Sequence, residues 1–384
     1  MTPERPRRAD ATDVQVEAAQ VDMGLASRTD EPSALTDPGS APLYAALDLG
    51  TNSCRMLIAQ PMGSQFVIVD SFSKSVQLGA GLEATGRLSR ASMLRTVQAL
   101  RICEKKLQAH KVRRMRLVAT EACRRARNAK DFLRQVRRET GLALEIIAAE
   151  EEARLAVISC APLVGPSTEQ LLVVDIGGGS TELVWIDLSA VSPENRPNAI
   201  MRLHMGFNAQ GEGAVARVVD WISVPLGVAT LKDQFIDVDD DAARFALMSW
   251  FFEEHLSKFS PYNSENPREG FQIIGTSGTV TTVAASFLGL RRYDRTKVDG
   301  LEMSSTQIDQ VIREYLSLGP EGRRNDPRIG RDRQSLIMSG AAILQALMRI
   351  WPTDRLSVAD RGLREGLLYA QMSADGVLGD GPYR

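Results

Sequence analysis

Two glycine-rich segments carry the residues best suited to chemistry: Asp48-Leu-Gly-Thr-Asn-Ser53 and Asp175-Ile-Gly-Gly-Gly-Ser-Thr181. Each follows an apolar run, Tyr44-Ala-Ala-Leu47 or Leu171-Leu-Val-Val174, and precedes another, Arg55-Met-Leu-Ile58 or Glu182-Leu-Val-Trp185. The layout is strand, aspartate, glycine turn with hydroxyls, strand, and it occurs twice. Glycine lets backbone N–H groups turn inward, so such a turn can cradle an anion while the aspartate beside it holds a cation. Asn52 and Ser53 on one side, and Gly177, Gly178, Ser180 and Thr181 on the other, are placed to donate to phosphate oxygens. Asp48 and Asp175 would neutralise Mg2+, a hard cation that prefers oxygen ligands and keeps several waters. Either aspartate alone could simply cap its own turn. A matched pair implies two similar domains closing over one phosphorylated ligand.

Ala149-Glu-Glu-Glu-Ala-Arg154 offers a base for attack on phosphorus. A water attacking a phosphoryl group needs a carboxylate within hydrogen-bond reach to orient it and take its proton. Successive helical residues turn by about 100°, so Glu150, Glu151 and Glu152 cannot share one face, and spacing does not choose among them. Arg124, in Ala119-Thr-Glu-Ala-Cys-Arg124, could reach a phosphate bidentately from a helix start. Gly275-Thr-Ser-Gly-Thr279 would aim a helix N-terminus at an anion. Asp360-Arg-Gly-Leu-Arg-Glu-Gly366 has the same strand-to-helix position, although Gly362 and Gly366 read more simply as helix-packing contacts.

These groups need strands and helices to position them. Tyr44–Leu49, Cys54–Gln60 and Phe66–Val76 read as an antiparallel meander. Helices follow over Ser89–Ala109, Asp131–Thr140 and Glu150–Ser159, with short strands at Arg116–Ala119 and Leu144–Ala148. The second half repeats the theme. Leu171–Ile176, Thr181–Ile186 and Ile200–His204 read as strands, residues 206–219 as a loop or insertion, and Ile222–Val224 as a further strand. Phe271–Ile274 and Arg355–Val358 are strands; the run after Gly278 to Leu288, Leu336–Ile350 and Gly362–Met372 are helices. Strand meanders feeding single helices, twice over, point to α/β architecture with two lobes.

Composition narrows the class. The chain has 384 residues, 43% hydrophobic and 24% charged, with a formal charge of −2, which suits two globular domains. Residues 1–41 are polar and aperiodic and read as a disordered tail, and 374–384 as a short tail. Four scattered cysteines and three histidines without ligand spacing argue against a disulfide scaffold, a zinc site and a Ser/His/Asp triad. No apolar run approaches the span of a membrane helix, and the first residues lack a signal-peptide core, so cytoplasm is the expectation. Residues 101–140 hold fourteen Lys/Arg against four acids, an attractor for polyanions, but without interleaved aromatics to stack on nucleic-acid bases.

In order along residues 42–373, the chain resembles the exopolyphosphatase/guanosine pentaphosphate phosphohydrolase family. The likeness rests on Ala45-Ala-Leu-Asp-Leu-Gly-Thr-Asn-Ser53, Val118-Ala-Thr120 with Arg124, Glu151-Glu-Ala-Arg-Leu155, Val174-Asp-Ile-Gly-Gly-Gly-Ser-Thr-Glu-Leu183, Pro225-Leu-Gly227, Gly275–Thr282 and Gly362-Leu-Arg-Glu-Gly-Leu-Leu-Tyr369. The resemblance implies two RNase-H-like lobes of the actin, sugar-kinase and heat-shock ATPase type around a cleft, here 42–167 and 168–373, with the last helix free to pack on the first lobe. It implies release of terminal phosphate from inorganic polyphosphate or guanosine pentaphosphate, Mg2+ or Mn2+ as cofactor, a homodimer, and no sequence-specific nucleic-acid partner. Glu152 falls on the catalytic glutamate and Asp175 on the metal-linked position, with Asp48 and Glu152 completing the metal set. The phosphate-contacting set is Asn52, Ser53, Arg55, Thr120, Arg124, Gly177, Gly178, Gly179, Ser180, Thr181, Gly275 and Ser277. Ala148-Ala149 stands where the family has Ser-Gly, the 188–222 stretch is longer than usual, and the extra C-terminal helical domains of long members are not expected.

Overall fold

The computed structural model describes residues 42–207, 216–263 and 269–378; the expected 1–41 tail, most of the 206–219 loop and the end of the 374–384 tail lie outside them. In chain order the first half contains β1 (Tyr44–Leu49), β2 (Ser53–Met62), β3 (Gln65–Ser75), α1 (Leu82–Thr85), α2 (Arg90–Ala109), β4 (Arg114–Ala119), α3 (Glu121–Arg125), α4 (Ala129–Thr140), β5 (Glu145–Ile146) and α5 (Ala149–Ser159). The second contains β6 (Gln170–Ile176), β7 (Thr181–Asp187), α6 (Arg196–Arg202), β8 (Arg217–Val224), α7 (Val228–Gln234), α8 (Asp241–Glu254), β9 (Phe271–Thr276), α9 (Gly278–Phe287), α10 (Arg295–Val298), β10 (Glu302–Met303), α11 (Ser305–Asn325), α12 (Ile337–Ile350), β11 (Leu356–Ala359) and α13 (Leu363–Ala374).

The two sheets repeat one design. The first runs β3-β2-β1-β4-β5, the second β10-β11-β9-β6-β7-β8. In each, an antiparallel meander (β1–β2–β3 or β6–β7–β8) is extended past its first strand by parallel strands, β4 and β5 or β9 and β11. This is the two-lobed α/β arrangement with RNase-H-like sheets. One expected strand is wrong. Ile200–His204 is the end of α6 and a turn of 3-10 helix, and the third strand of the meander is β8. Pro197 in the first turn of α6 favours helix there, and so short a stretch with three apolar residues cannot by itself tell strand from helix.

Three apolar clusters hold the elements together. One lies under α2 and α4 in the first lobe, and one under α8, α9, α11 and α12 in the second. The third joins the lobes: α5 and α13 pack on each other there, with Tyr44 and Leu57 of the first sheet and Val173 and Val184 of the second. Gly366 permits this contact, since a Cβ on it would overlap the Leu155 carbonyl. The glutamate-bearing start of α5 is therefore anchored between the two sheets.

Half of the basic stretch is paired. Arg101, Lys106, Arg114, Arg116, Arg124, Arg125 and Arg134 each meet a carboxylate. Among the described residues no helix is long and apolar enough to cross a membrane.

Candidate active site

Each glycine turn is the loop of a hairpin, β1–β2 or β6–β7. Register places Asp48 opposite Arg55 in the first, and Asp175 opposite Glu182 in the second. Opposite charges face each other in one hairpin and like charges in the other, where direct opposition is unfavourable. The turns themselves touch. A Cβ on Gly178 would lie 3.1 Å from Asn52 Cβ, one on Gly179 would overlap the Thr51 hydroxyl, and one on Gly227 would lie 2.5 Å from the Gly177 carbonyl. Close approach demands glycine at 179 and 227 and leaves little room for a side chain at 178. The Thr51 hydroxyl beside this contact is buried without a hydrogen-bond partner among the described residues.

A cavity of about 460 Å3 opens beside the paired turns. Asp48, Arg55, Glu152 and Asp175 line it, together with the start of α9 and the Asp360–Glu365 segment. The first turn of α5 sorts its three acids. Glu150 is exposed, Glu151 pairs with Arg116 at 2.7 Å, and Glu152 faces the cavity at 9% exposure. Arg124 Nη1 donates to Glu152 at 2.6 Å and Nη2 to Glu121 at 2.9 Å. Burial pushes the Glu152 carboxyl well above the usual range, Glu182 adds to this, and Arg124 opposes it. A carboxylate raised toward neutrality is a suitable proton acceptor for water.

Burial, then Glu182 and Asp48, pushes Asp175 up to about 7. Asp48 is also raised by burial, against the pull of Arg55 and Arg364. Neither aspartate forms an ion pair among the described residues. Two hard oxygen donors in an enclosed site, each costly to ionise without a cation, fit a Mg2+ that keeps waters and takes one or two carboxylates. Among the described residues no cluster of three or more His, Cys, Asp or Glu forms, so Glu152 does not join the aspartates in one ligand set. Its carboxylate is engaged by Arg124 instead.

Comparison with known proteins gives the lineage. Residues 57–375 match the model of the Ppx/GppA phosphatase family. The chain belongs to that family. A curated relative, the guanosine-5'-triphosphate,3'-diphosphate pyrophosphatase of Aeromonas salmonicida, is 29% identical over 331 residues, covering 86% of this chain and 59% of the relative. The chain thus spans about three fifths of that relative's length. A crystal structure of the Aquifex aeolicus Ppx/GppA family member superposes with a TM-score of 0.67 at 30% identity, covering 87% of this chain and 98% of that one. An exopolyphosphatase from Cytophaga hutchinsonii shares the fold, with a TM-score of 0.72 at 21% identity and 87% and 98% coverage.

In this Ppx/GppA chain the cavity gathers Asp48, Asn52, Ser53, Arg55, Thr120, Glu152, Asp175, Gly177, Gly178, Gly179, Ser180 and Ser277. Three expected phosphate contacts lie elsewhere. Arg124 is spent on Glu121 and Glu152. Thr181 is fully buried and donates to the Leu226 carbonyl at 2.8 Å. Gly275 sits inside β9, where a Cβ would press 3.1 Å from Val280, so its role is helix–strand packing. Ser277 holds φ at 91°, a strained value for a residue with a side chain, and its hydroxyl is buried without a partner among the described residues. Among the wall residues absent from the expected set are Thr51, Glu121, Arg333 and Asp360. Asp360 carried a readable signal, since it follows a strand as Asp48 and Asp175 end theirs. Arg333 carried none, because it is one of several arginines in a polar segment, with Arg328 and Arg331 close by. Its guanidinium lies against the start of α9 with no ion pair among the described residues, and burial followed by Arg55 lowers its pKa to about 10.

Proposed function

We propose that this chain hydrolyses the terminal phosphoanhydride bond of a linear polyanion, releasing orthophosphate. The substrate is guanosine 5'-triphosphate 3'-diphosphate or inorganic polyphosphate; the name of the Aeromonas relative favours the first. One observation carries the reading: a buried glutamate with a raised pKa faces the cavity beside two touching glycine turns.

Glu152 orients a water for in-line attack and accepts its proton. Amide donors of the two turns, with Arg55 and Arg333, hold the phosphoryl oxygens as charge spreads over them. Asp48 and Asp175 would hold Mg2+, which supplies charge neutralisation on the transferred group and the leaving oxygen. The leaving group is a phosphate already bound by cations, so no strong general acid is required, in keeping with a cavity wall that contains no histidine among its described residues.

Phosphate release from guanosine pentaphosphate and from long polyphosphate, each with Mg2+ and with EDTA, tests the activity. Glu152→Gln should lower kcat by about 100-fold or more while substrate binding stays measurable, because the amide cannot take the proton. Wild-type turnover in that variant would remove Glu152 from the chemistry.

A further inference from the structure

The unpaired half of the basic stretch includes three cations of one helix. α4 turns Ala129, Phe132, Val136 and Thr140 into the first lobe. At about 100° per residue, Lys130, Arg134, Arg137 and Arg138 share the opposite face, and all four are exposed. From 130 to 138 the row runs for about 12 Å at 1.5 Å per residue. The one acid on that face, Asp131, pairs with Arg134. Lys130, Arg137 and Arg138 form no ion pair among the described residues. None of the four cations lines the cavity.

This face works against the helix that carries it. Lys130, in the first turn, opposes the helix dipole. Lys130 with Arg134, and Arg134 with Arg138, put like charges four residues apart, a spacing that weakens a helix. Arg137 and Arg138 do suit the dipole at the last turn, which accounts for half of the row and not for the rest. More cations stand at its start. The Leu88 amide donates to Asn128 Oδ1 at 2.8 Å, and the Arg127 amide to the Gly86 carbonyl at 3.0 Å. These bonds bring exposed Arg87, Arg90 and Arg127 beside the first turn of α4, again with no ion pair among the described residues. On a chain of net charge −2 the face is a local reversal of sign.

The kind of polyanion follows from what the face lacks. An anionic membrane would need apolar side chains on the same side of the helix, and those of α4 point into the lobe. Single-stranded nucleic acid would need rings to stack on, and Phe132, the one aromatic of α4, is 1% exposed. An unbranched phosphate chain needs only cations in a line. We infer that the outer face of α4 docks inorganic polyphosphate, gripping the chain outside the cavity. The docking stands apart from the phosphohydrolase reading; a preference for long chains over short ones in turnover would rest on both.

The test measures equilibrium binding of fluorescent long-chain polyphosphate to the full chain in EDTA. It compares wild type with the triple variant Lys130→Gln, Arg137→Gln, Arg138→Gln, in which glutamine keeps helix propensity. Affinity should fall about tenfold, and the slope of log Kd against log salt should fall by about 2, as expected for three lost phosphate contacts. Tm should not drop, because like charges are being removed. Turnover of inorganic tetraphosphate, as kcat/KM, should stay within about twofold, since exposed charges outside the cavity are screened by salt. Unchanged affinity and slope in the variant overturn the docking face. Tighter binding of an RNA duplex with as many phosphates, lost in the same variant, overturns it in favour of nucleic acid. An equal loss on tetraphosphate also overturns it, because that marks a general structural role. Binding is read without turnover, so a wild type that releases no phosphate sinks the hydrolase reading alone.

Discussion

In the proposed mechanism Arg124 acts through Glu152 and not on the phosphate itself. From its place at a helix start it was expected to clamp a phosphate, yet its guanidinium is committed to Glu152 at 2.6 Å and to Glu121 at 2.9 Å. Burial and Glu182 drive the Glu152 carboxyl toward its neutral form, and Arg124 works against them. In the proposed mechanism the ionised form accepts a proton from water, so the rate should fall as pH drops below the Glu152 pKa. Removing the cation raises that pKa further, which moves the acid limb of kcat/KM to higher pH. Arg124→Ala should shift the limb upward by about one unit or more, the usual effect of a lost opposite charge within hydrogen-bond reach. Arg124→Lys, which restores the charge but not the fork, should recover part of the shift. A limb that stays in place in Arg124→Ala, measured from pH 5 to 9, would show that the arginine only buttresses the loop. A simple structural loss lowers the plateau and leaves the midpoint unmoved, so the two outcomes separate.

Between elements, the fold depends on backbone approaches that only glycine permits. The α5–α13 contact is the clearest, because a Cβ on Gly366 would overlap the Leu155 carbonyl and lie 2.7 Å from its carbon, and backbone atoms cannot swing aside. Gly366→Ala should therefore cost about 1–3 kcal/mol of stability, the usual scale for overpacking. Gly330→Ala, where a Cβ meets nothing within 4 Å, should stay within about 0.5 kcal/mol. Equal denaturant midpoints for the two variants would contradict the packing account. Gly366 was legible in the sequence as a packing glycine, and so were both hairpins, because an apolar run ending in aspartate and a glycine turn, followed by a second apolar run, has few other readings. Much of the second lobe was not. In α8, Leu247 and Trp250 are exposed at 39% and 55%, which blurs the apolar stripe carried by Phe245, Met248 and Phe252. In α11 the pattern breaks where Gly319 adopts φ of 63° ahead of Pro320. Asp175 and Glu182 illustrate a further limit: their repulsion exists only once β6 and β7 pair, and no spacing rule announces it.

Across the whole molecule, these carboxylates make stability depend on pH in an unusual direction. Burial raises Asp48, Glu152, Asp175 and Glu182 above their ordinary values, with Asp175 reaching about 7. In the unfolded chain an aspartate loses its proton near pH 3.8. Between that value and about 7 the folded state holds more protons than the unfolded one, so by linkage its stability declines as pH rises through this window. Asp70 acts oppositely at lower pH. Burial would raise it, but Lys106, the Ser71 amide and His110 outweigh that and lower it, so its contribution is lost only when acidification passes its depressed folded pKa. The two trends place maximal stability of the metal-free protein in mild acid. Thermal melts in EDTA should give a higher Tm at pH 5 than at pH 8. Mg2+ at pH 8 should recover much of the difference, because a bound cation favours the ionised aspartates that burial penalises. Asp175→Asn, which cannot ionise, should flatten the wild-type slope between pH 5 and 8. If the wild-type Tm instead climbs with pH in EDTA, or the Asn variant keeps the full slope, the carboxylates are not under the mutual strain that the paired hairpins and the anchored α5 impose on them.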